Sequence, residues 1–581
     1  MVVKQNQRQS EAKWVAVWTL LGAALRFLNL GSKPPWTDEF STMVFSLGRT
    51  FRTVPLDQPI SLETLLSPLR PLPSLDFGAV VQHLMSESTH PPLYFLLAHG
   101  WMSLLPTVDG LASVWGARSL SALLGVLAIP AMYGLGRWVW RSPLVGHSAA
   151  LGMALSPFGI FLAQEARHYT LAILLVIASL ACLVQGARSL QERRPLAWPV
   201  VALWIGLNAL SVAVHYFCVL TLAAEGLVLA GWWVWLRWRS PTDLAAKFRV
   251  GWGRLALVAL GTLASVLAWL PVWQRVYGSE VTQWIYAEPG QVFRLAPIFQ
   301  ALAAWITMVG LLPVEADPLP VVIGSGLLML LFFVRLTPVW VRFWWQRVTQ
   351  DETLLESRVV TGFVLGAIAL IFAITYGLGT DLTRGARYNF VYFPGLLALL
   401  GAALAQVWSA GDAVVSAPQR PRWFWPALTG KQVGILMLVM GVASALTVSC
   451  NLGYQKYYRP GLFIDRVQAQ ITNSPVLIAT THKTHVQTGE MMGIALELVR
   501  RDRPWQPEFL LAHQDDDPKA STRALEAAIA RQTGPLDLWL VNFYAPDDPA
   551  AQRCLADPQG RQSVDGYAYQ HYRCLPSETA S

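Results

Sequence analysis

Charge is scarce in this chain: only 14% of its 581 residues are Asp, Glu, Lys or Arg, against about 25% in an average soluble domain. That shortage excludes an ordinary soluble protein over most of the length. Cysteine is scarce too. There are five, with no CxxC pair and no Cys/His cluster, so nothing points to structural zinc. Internal repeats and low-complexity tracts are missing as well. The formal net charge of +8 does not call for a nucleic-acid partner, because most of the excess falls in short loops between apolar runs.

What the chain has instead is apolar surface, 54% hydrophobic residues and a mean hydropathy of +0.40. Runs of about 17 residues or more, enough to cross a bilayer, fall at roughly 14–30, 117–136, 148–163, 170–187, 196–213, 217–236, 255–273, 319–335, 359–378, 390–408 and 432–450. The expectation is a mainly α, polytopic membrane protein with about eleven transmembrane helices. Alternate loops carry the Lys and Arg: Arg137 and Arg141; Arg188, Arg193 and Arg194; Arg237, Arg239, Lys247, Arg249 and Arg254; Arg335, Arg342, Arg347 and Arg358; Arg420, Arg422 and Lys431. Basic loops mark the cytoplasmic side, which places the N-terminus inside. Two further apolar pieces, 91–106 and 292–313, contain Pro or a polar break and are expected to lie in the interface. Many of the 26 Trp, such as Trp138, Trp233, Trp238 and Trp345, end apolar runs as an interfacial belt does. The basic start (Lys4, Arg8, Lys13) before the first run competes with a cleaved signal peptide. Without a clear small-residue cleavage site, a retained anchor is expected.

This topology gives two domains: a transmembrane domain, 1–452, whose first external loop spans 31–116, and an extracytoplasmic α/β domain, 453–581. The protein is then a multi-pass protein of the cell membrane. The long loop is rich in Pro and ends in His90-Pro91-Pro92-Leu93-Tyr94. A loop of that length is usually functional. The C-terminal region has strand-like runs at Val476–Ala479 and Leu536–Val541 and an amphipathic helix from Ala520 to Arg531. Cys554 and Cys574 are its only cysteines, and an external compartment permits a disulfide between them.

Four polar groups fall on the external side. They are Asp38-Glu39 after the first span, His90, the segment Gln164-Glu165-Ala166-Arg167-His168-Tyr169, and the segment Thr383-Arg384-Gly385-Ala386-Arg387-Tyr388. An acid, a histidine and arginines on one leaflet suit phosphate binding with activation of a hydroxyl, since a guanidinium donates several hydrogen bonds at once. Bland alternatives stand beside these. Asp38-Glu39 could be a helix start, His90 a cap, Glu165 and Arg167 a surface ion pair, His215 part of the aromatic belt, and His482, Lys483 and His485 a solvated turn.

Arg26-Phe27-Leu28-Asn29-Leu30-Gly31 followed by Trp36-Thr37-Asp38-Glu39 resembles the opening of the GT-C superfamily of membrane glycosyltransferases, in the family 39 / aminoarabinose-transferase-like branch. His90-Pro91-Pro92-Leu93 looks like that branch's His/Lys-Pro-Pro-Leu element. Ser156-Pro157 with Gln164 to Tyr169 is similar to its Ser-Pro…Gln-Glu-Ala-Arg-x-Tyr segment, and Arg387-Tyr388 with Pro394 resembles its Arg-Tyr…Pro stretch. The resemblance covers roughly 20–400 and stops before 453–581. It implies transfer of a sugar from a polyprenyl-phosphate-linked donor to a lipid, glycan or protein hydroxyl on the non-cytoplasmic face. Asp38 would be the inverting general base, with Glu39 the weaker candidate, and His90, Arg167 and Arg387 would hold the donor phosphate. Glu165, Tyr169 and Tyr388 are candidate substrate contacts. Related enzymes with a His-Pro-Pro element need no bound metal for the chemistry, although some wider members of the superfamily use a divalent ion; the resemblance thus implies no required cofactor and leaves a divalent metal open. The rival readings are a transporter or flippase of a lipid-linked sugar and a non-catalytic envelope scaffold. Transporters tend to show repeated halves, which this sequence does not.

Overall fold

The computed structural model describes residues 2–74, 76–239, 251–276, 278–286, 295–350, 352–415, 427–502, 505–517, 519–545 and 553–576. The expected loop charges Lys247, Arg249, Arg420 and Arg422 lie outside the described residues. The chain forms two compact units, Met1–Leu30 with Thr89–Tyr94 and Arg118–Tyr454, and Gly31–Ser88 with Phe95–Ala117 and Gln455–Ser581.

The first unit is helical. Among the described residues seven helices are long and apolar enough to cross a bilayer: Val114–Val139, Tyr169–Gln191, Cys218–Trp235, Gly253–Arg275, Leu319–Gln350, Leu354–Gly377 and Gly430–Ser449. The pair Pro143–Leu155 and Pro157–Ala163, bent by 57°, adds an eighth. With Val2–Phe27 and the helices Trp198–Val214 and Phe393–Ser409, these account for the eleven expected segments. The two pieces expected in the interface form shorter helices, Leu93–Ser103 and Ala296–Val309.

The 57° bend follows from local chemistry. Pro157 cannot donate to the preceding turn, and the Ser156 hydroxyl accepts from the Gly159 N–H while donating to the Met308 carbonyl. The break leaves carbonyls without helical donors, and Arg26 supplies them. Its fully buried guanidinium donates to the Met153 carbonyl at 2.7 Å and to that of Ala154 at 3.2 Å. Helix Phe393–Ser409 approaches the same broken helix closely. A Cβ at Gly401 would stand 2.8 Å from the Ala149 nitrogen, so only glycine fits there.

Some charges differ from the loop markers expected of them. Arg188 lies inside helix Tyr169–Gln191, buried, and its Nε donates to Glu356 at 2.8 Å. Arg335, Arg342 and Arg347 fall within the 32-residue helix Leu319–Gln350, which runs on past the expected end near 335. Buried Glu225 accepts from the Trp204 indole at 3.1 Å and lies 2.7 Å from the Ser179 hydroxyl. A carboxylate among apolar helices is costly unless hydrogen-bonded in this way.

The second unit is α/β. A short hairpin of β1 (Thr107–Val108) and β2 (Leu111–Ala112) precedes β3 (Val476–His482), β4 (Glu508–His513), β5 (Leu536–Val541), β6 (Cys554–Ala556), β7 (Gln562–Val564) and β8 (Tyr567–Cys574). The larger sheet has the order β4-β3-β5-β8-β6, with β7 paired to β8. Strands β3, β4 and β5 are parallel; β8 runs antiparallel to β5. Helix Ala520–Arg531 covers the face bearing Leu477, Ala479, Leu510 and Leu538. On the opposite face Phe463 of helix Pro460–Gln470 packs on Trp539 and Tyr569. Cys554 and Cys574 sit opposite each other on β6 and β8 and are bonded. Closing about twenty residues should stabilise the fold by about 3 kcal/mol in the chain-entropy model.

The segment 31–116, expected as a loop of the 1–452 domain, groups mostly with the C-terminal residues, since Gly31–Ser88 and Phe95–Ala117 fall in the second unit. Ile60 pairs with Phe509 beside β4, blunting that sheet edge, and helix Thr37–Ser46 packs on helix His485–Arg500. Its apolar residues Phe40, Met43 and Phe45, all fully buried, find their core with the C-terminal sheet.

Candidate functional site

Within the first unit, side chains from five connections between helices meet. His90 precedes helix Leu93–Ser103. Arg167 and His168 lie between helices Pro157–Ala163 and Tyr169–Gln191. His215 follows Trp198–Val214, Trp284 sits in the 3-10 turn Glu280–Ile285, and Arg387 and Tyr388 lie in the turn Ala386–Val391. The Arg167 Nη2 is 2.8 Å from the His90 Nε2. The His168 ring lies 5.3 Å from that of His90 and 4.4 Å from that of His215. The Tyr388 ring is 6.4 Å from His215, and the Arg387 guanidinium lies 5.4 Å from the rings of both Tyr388 and Trp284. The guanidinium of Arg167 is 5.9 Å from the Tyr169 ring.

The segments that carry these groups are held by hydrogen bonds of the motif residues themselves. The Gln164 amide donates to the carbonyls of Leu25, Arg26 and Leu28, closing the C-terminal end of the first helix. Ser121 donates to the Arg167 carbonyl at 2.8 Å and accepts from its N–H at 3.2 Å, and the Tyr94 hydroxyl is 2.7 Å away. One serine thus fixes both the end of the His-Pro-Pro-Leu-Tyr element and the Arg167 backbone. On the other side Thr383 hydrogen-bonds Asp381 and Gln300, Arg384 pairs with Asp381 at 3.4 Å, and the Asp381 N–H donates to the Ile285 carbonyl. These contacts present Arg387 half-buried against the indole of Trp284.

Burial decides the charge state of the two inner imidazoles. His168 is fully buried and His215 is 7% exposed. Desolvation holds both well below the usual histidine range, and the positive charges of the nearby Arg167 and Arg387 push the same way. Two neutral rings are therefore packed among arginines. A region with this excess of cationic donors is suited to an anion. Among the described residues no group of three His, Cys, Asp or Glu side chains is placed to share a metal ion.

The second unit carries the adjacent carboxylates. Asp38 and Glu39 occupy the first turn of helix Thr37–Ser46, where the macrodipole favours negative charge. Glu39 is fully buried and its Oε2 is 3.6 Å from the Lys456 ammonium, while Asp38 is half-buried. His485 stacks on Phe51 with ring centres 5.1 Å apart and lies 6.0 Å from Phe45. Burial lowers its pKa, against the opposing pull of Asp38 and Glu87.

Of the expected site residues, His90, Arg167, Tyr169, Arg387 and Tyr388 meet in the first unit, and Asp38 and Glu39 belong to the second. Glu165 and Arg167, weighed as a surface pair, are both buried. His215, expected in a lipid-facing aromatic belt, instead packs inside the cluster. His485, expected in a solvated turn, is enclosed by two phenylalanines. Lys456 carried no signal in the sequence, because its partner lies more than four hundred residues away.

The described fold combines a unit with helices long and apolar enough to cross a membrane and a second, α/β unit. No family model matches the sequence, and no curated protein matches it. Among solved structures, ArnT from Cupriavidus metallidurans in the apo state is similar over 97% of this chain and 98% of that one, at 12% identity and a TM-score of 0.51. ArnT from the same organism bound to undecaprenyl phosphate covers 98% and 99%, at 14% identity and a TM-score of 0.49. The oligosaccharyltransferase AglB from Archaeoglobus fulgidus, in complex with an inhibitory peptide and a dolichol-phosphate, covers 84% of this chain and 64% of its own, at 13% identity and a TM-score of 0.41. The likeness to apo ArnT is one of fold.

Proposed function

We propose that the protein is an integral-membrane glycosyltransferase that moves a sugar from a polyprenyl-phosphate-linked donor to an acceptor hydroxyl on the extracytoplasmic face. The observation that carries the reading is the meeting of His90, Arg167 and Arg387 around two neutral imidazoles in a bundle of apolar helices. A lipid-borne phosphate needs both features, cationic donors for the headgroup and apolar helices for the tail. Of the structures named above, one ArnT is bound to undecaprenyl phosphate and AglB is in complex with a dolichol-phosphate; a polyprenyl phosphate is the lipid class proposed here.

In the proposed reaction Asp38 takes the proton of the acceptor hydroxyl. The hydroxyl oxygen then bonds to the anomeric carbon as the carbon–oxygen bond to phosphate breaks, with inversion. The leaving group is a polyprenyl phosphate, so it needs cations and not a proton; Arg167 and Arg387 supply them, with His90, hydrogen-bonded to Arg167, as a further phosphate contact. Tyr169, Glu165 and Tyr388 flank that position as substrate contacts, and Glu39 orients the base. The N-terminus is placed in the cytoplasm and the C-terminal α/β domain outside the cell membrane, on the asymmetry of Lys and Arg between loops.

The test is to identify, by mass spectrometry, the lipid that co-purifies with the detergent-solubilised protein, and to follow its sugar on adding candidate acceptors. Consumption of a polyprenyl-phosphate sugar with release of polyprenyl phosphate supports the proposal. A bound lipid-linked sugar that is carried across vesicles but never transferred would favour a transporter.

A further inference from the structure

We infer that Lys456, in the segment just past the last apolar helix, is a positioning residue for Asp38, acting through the buried carboxylate of Glu39. The inference rests on the reading of Asp38 as the base and adds the residue that aims it.

The geometry starts at the helix. Asp38 and Glu39 are consecutive, yet their surroundings differ: Glu39 is fully buried, and Asp38 is not. The Glu39 carboxylate reaches back to the N–H of Trp36, with Oε2 at 3.4 Å, as the third residue of a capping box does. The Lys456 ammonium, itself buried, stands 3.6 Å from the same oxygen and 5.7 Å from the centre of the Trp36 ring. Carboxylate, ammonium and indole thus pin the turn on which Asp38 sits. The far side of that turn is closed by helix His485–Arg500, where a Cβ at Gly489 would touch the Thr37 backbone at 3.4 Å.

The chemistry separates two carboxylates that the sequence leaves equivalent. A buried carboxylate facing a buried ammonium is committed to its partner, and losing one partner leaves an uncompensated charge. Glu39 is therefore a poor proton acceptor for a substrate. Asp38, one residue before it and half-exposed, is the carboxylate an acceptor can reach, and it takes the proton. The Lys456–Glu39 pair also assigns a role to the segment that opens the C-terminal domain, which is to fix the helix that carries the base.

The full-length protein in lipid nanodiscs tests this through kcat, donor KM and donor-lipid binding. Lys456→Met should lower kcat about 10- to 100-fold, the range expected when a reacting group is displaced by about an ångström, with donor KM within about twofold of wild type. Glu39→Gln/Lys456→Met removes both charges and keeps an acceptor for the Trp36 N–H, so its kcat should exceed that of Lys456→Met. Lys456→Arg, which keeps the charge, should lie between the single variant and wild type. If Lys456→Met fails to accumulate in membranes, the double variant carries the comparison: recovery of folded, active protein supports the coupling. The inference is overturned if Lys456→Met turns over at the wild-type rate, or if the double variant is no better than the single. Wild-type turnover of Asp38→Asn is a different result, which removes the base reading itself.

Discussion

The two units present opposite charges by opposite means. In the membrane unit, cations come from several connections that are distant in sequence, and burial among arginines keeps His168 and His215 neutral. In the α/β unit, both carboxylates come from one helical turn, where the N-terminal dipole favours them and Lys456 pairs with Glu39. The first arrangement gathers donors from separate connections into one cluster. The second fixes a single side chain at a known place on a rigid element. Binding an anionic lipid and aiming a base ask for these two different designs.

Asp38→Asn probes the difference most severely. It nearly preserves shape but removes the proton acceptor, and turnover should fall by about 10²–10⁴-fold while donor binding persists. Orientation comes next. Cysteines placed at the exposed positions Arg70 and Arg531 should react with an impermeant thiol reagent from outside intact cells, and one at exposed Glu192 should not. The reverse pattern would place both sites on the cytoplasmic face. In the membrane unit, Arg167→Ala removes a buried cation hydrogen-bonded to His90 and should weaken donor binding roughly 10- to 100-fold, the equivalent of one charged hydrogen bond. The half-buried Arg387 should matter less, and a larger loss there would invert the ranking.

Two smaller effects concern stability. Reducing the bond between Cys554 and Cys574 should lower unfolding stability by about 3 kcal/mol, seen as a lower melting temperature of the α/β unit. An unchanged melting profile under reductant would remove that contribution. His168 and His215 titrate below the ordinary value of about 6.5, so the unfolded chain binds protons that the folded one refuses. Their stabilising contribution is full above about pH 6.5 and is lost as pH falls below it. Replacing both with Gln should flatten the decline in melting temperature between pH 7 and pH 5.

Much of this division was legible in the sequence. Each of the eleven apolar runs falls on a helix, and among the described residues seven of these helices, or eight with the bent pair, are long and apolar enough to cross a bilayer, as hydrocarbon demands. Helix Ala520–Arg531 and strands β3 and β5 were legible from periodicity for the same local reason. The order within the long loop was not. Helices Thr37–Ser46 and Phe77–Glu87 sit among prolines and polar residues, and the first of them is held by contacts with helix His485–Arg500, far along the chain. The histidines misled for a related cause. His215 in Val214-His215-Tyr216-Phe217 reads locally as an aromatic interface, and only the fold brings it within 4.4 Å of His168. The partnership of Glu39 with Lys456 is equally invisible to spacing.

The measurement that bears most directly on the account is a side-by-side determination of donor-lipid affinity and single-turnover sugar transfer for Asp38→Asn and Arg167→Ala in nanodiscs. The account predicts a crossed result. Asp38→Asn binds the polyprenyl-phosphate sugar as wild type does but transfers about 10²–10⁴-fold more slowly, while Arg167→Ala binds more weakly and, once saturated, transfers far faster than Asp38→Asn. Wild-type transfer by a folded Asp38→Asn, or unaltered donor binding by a folded Arg167→Ala, would contradict it.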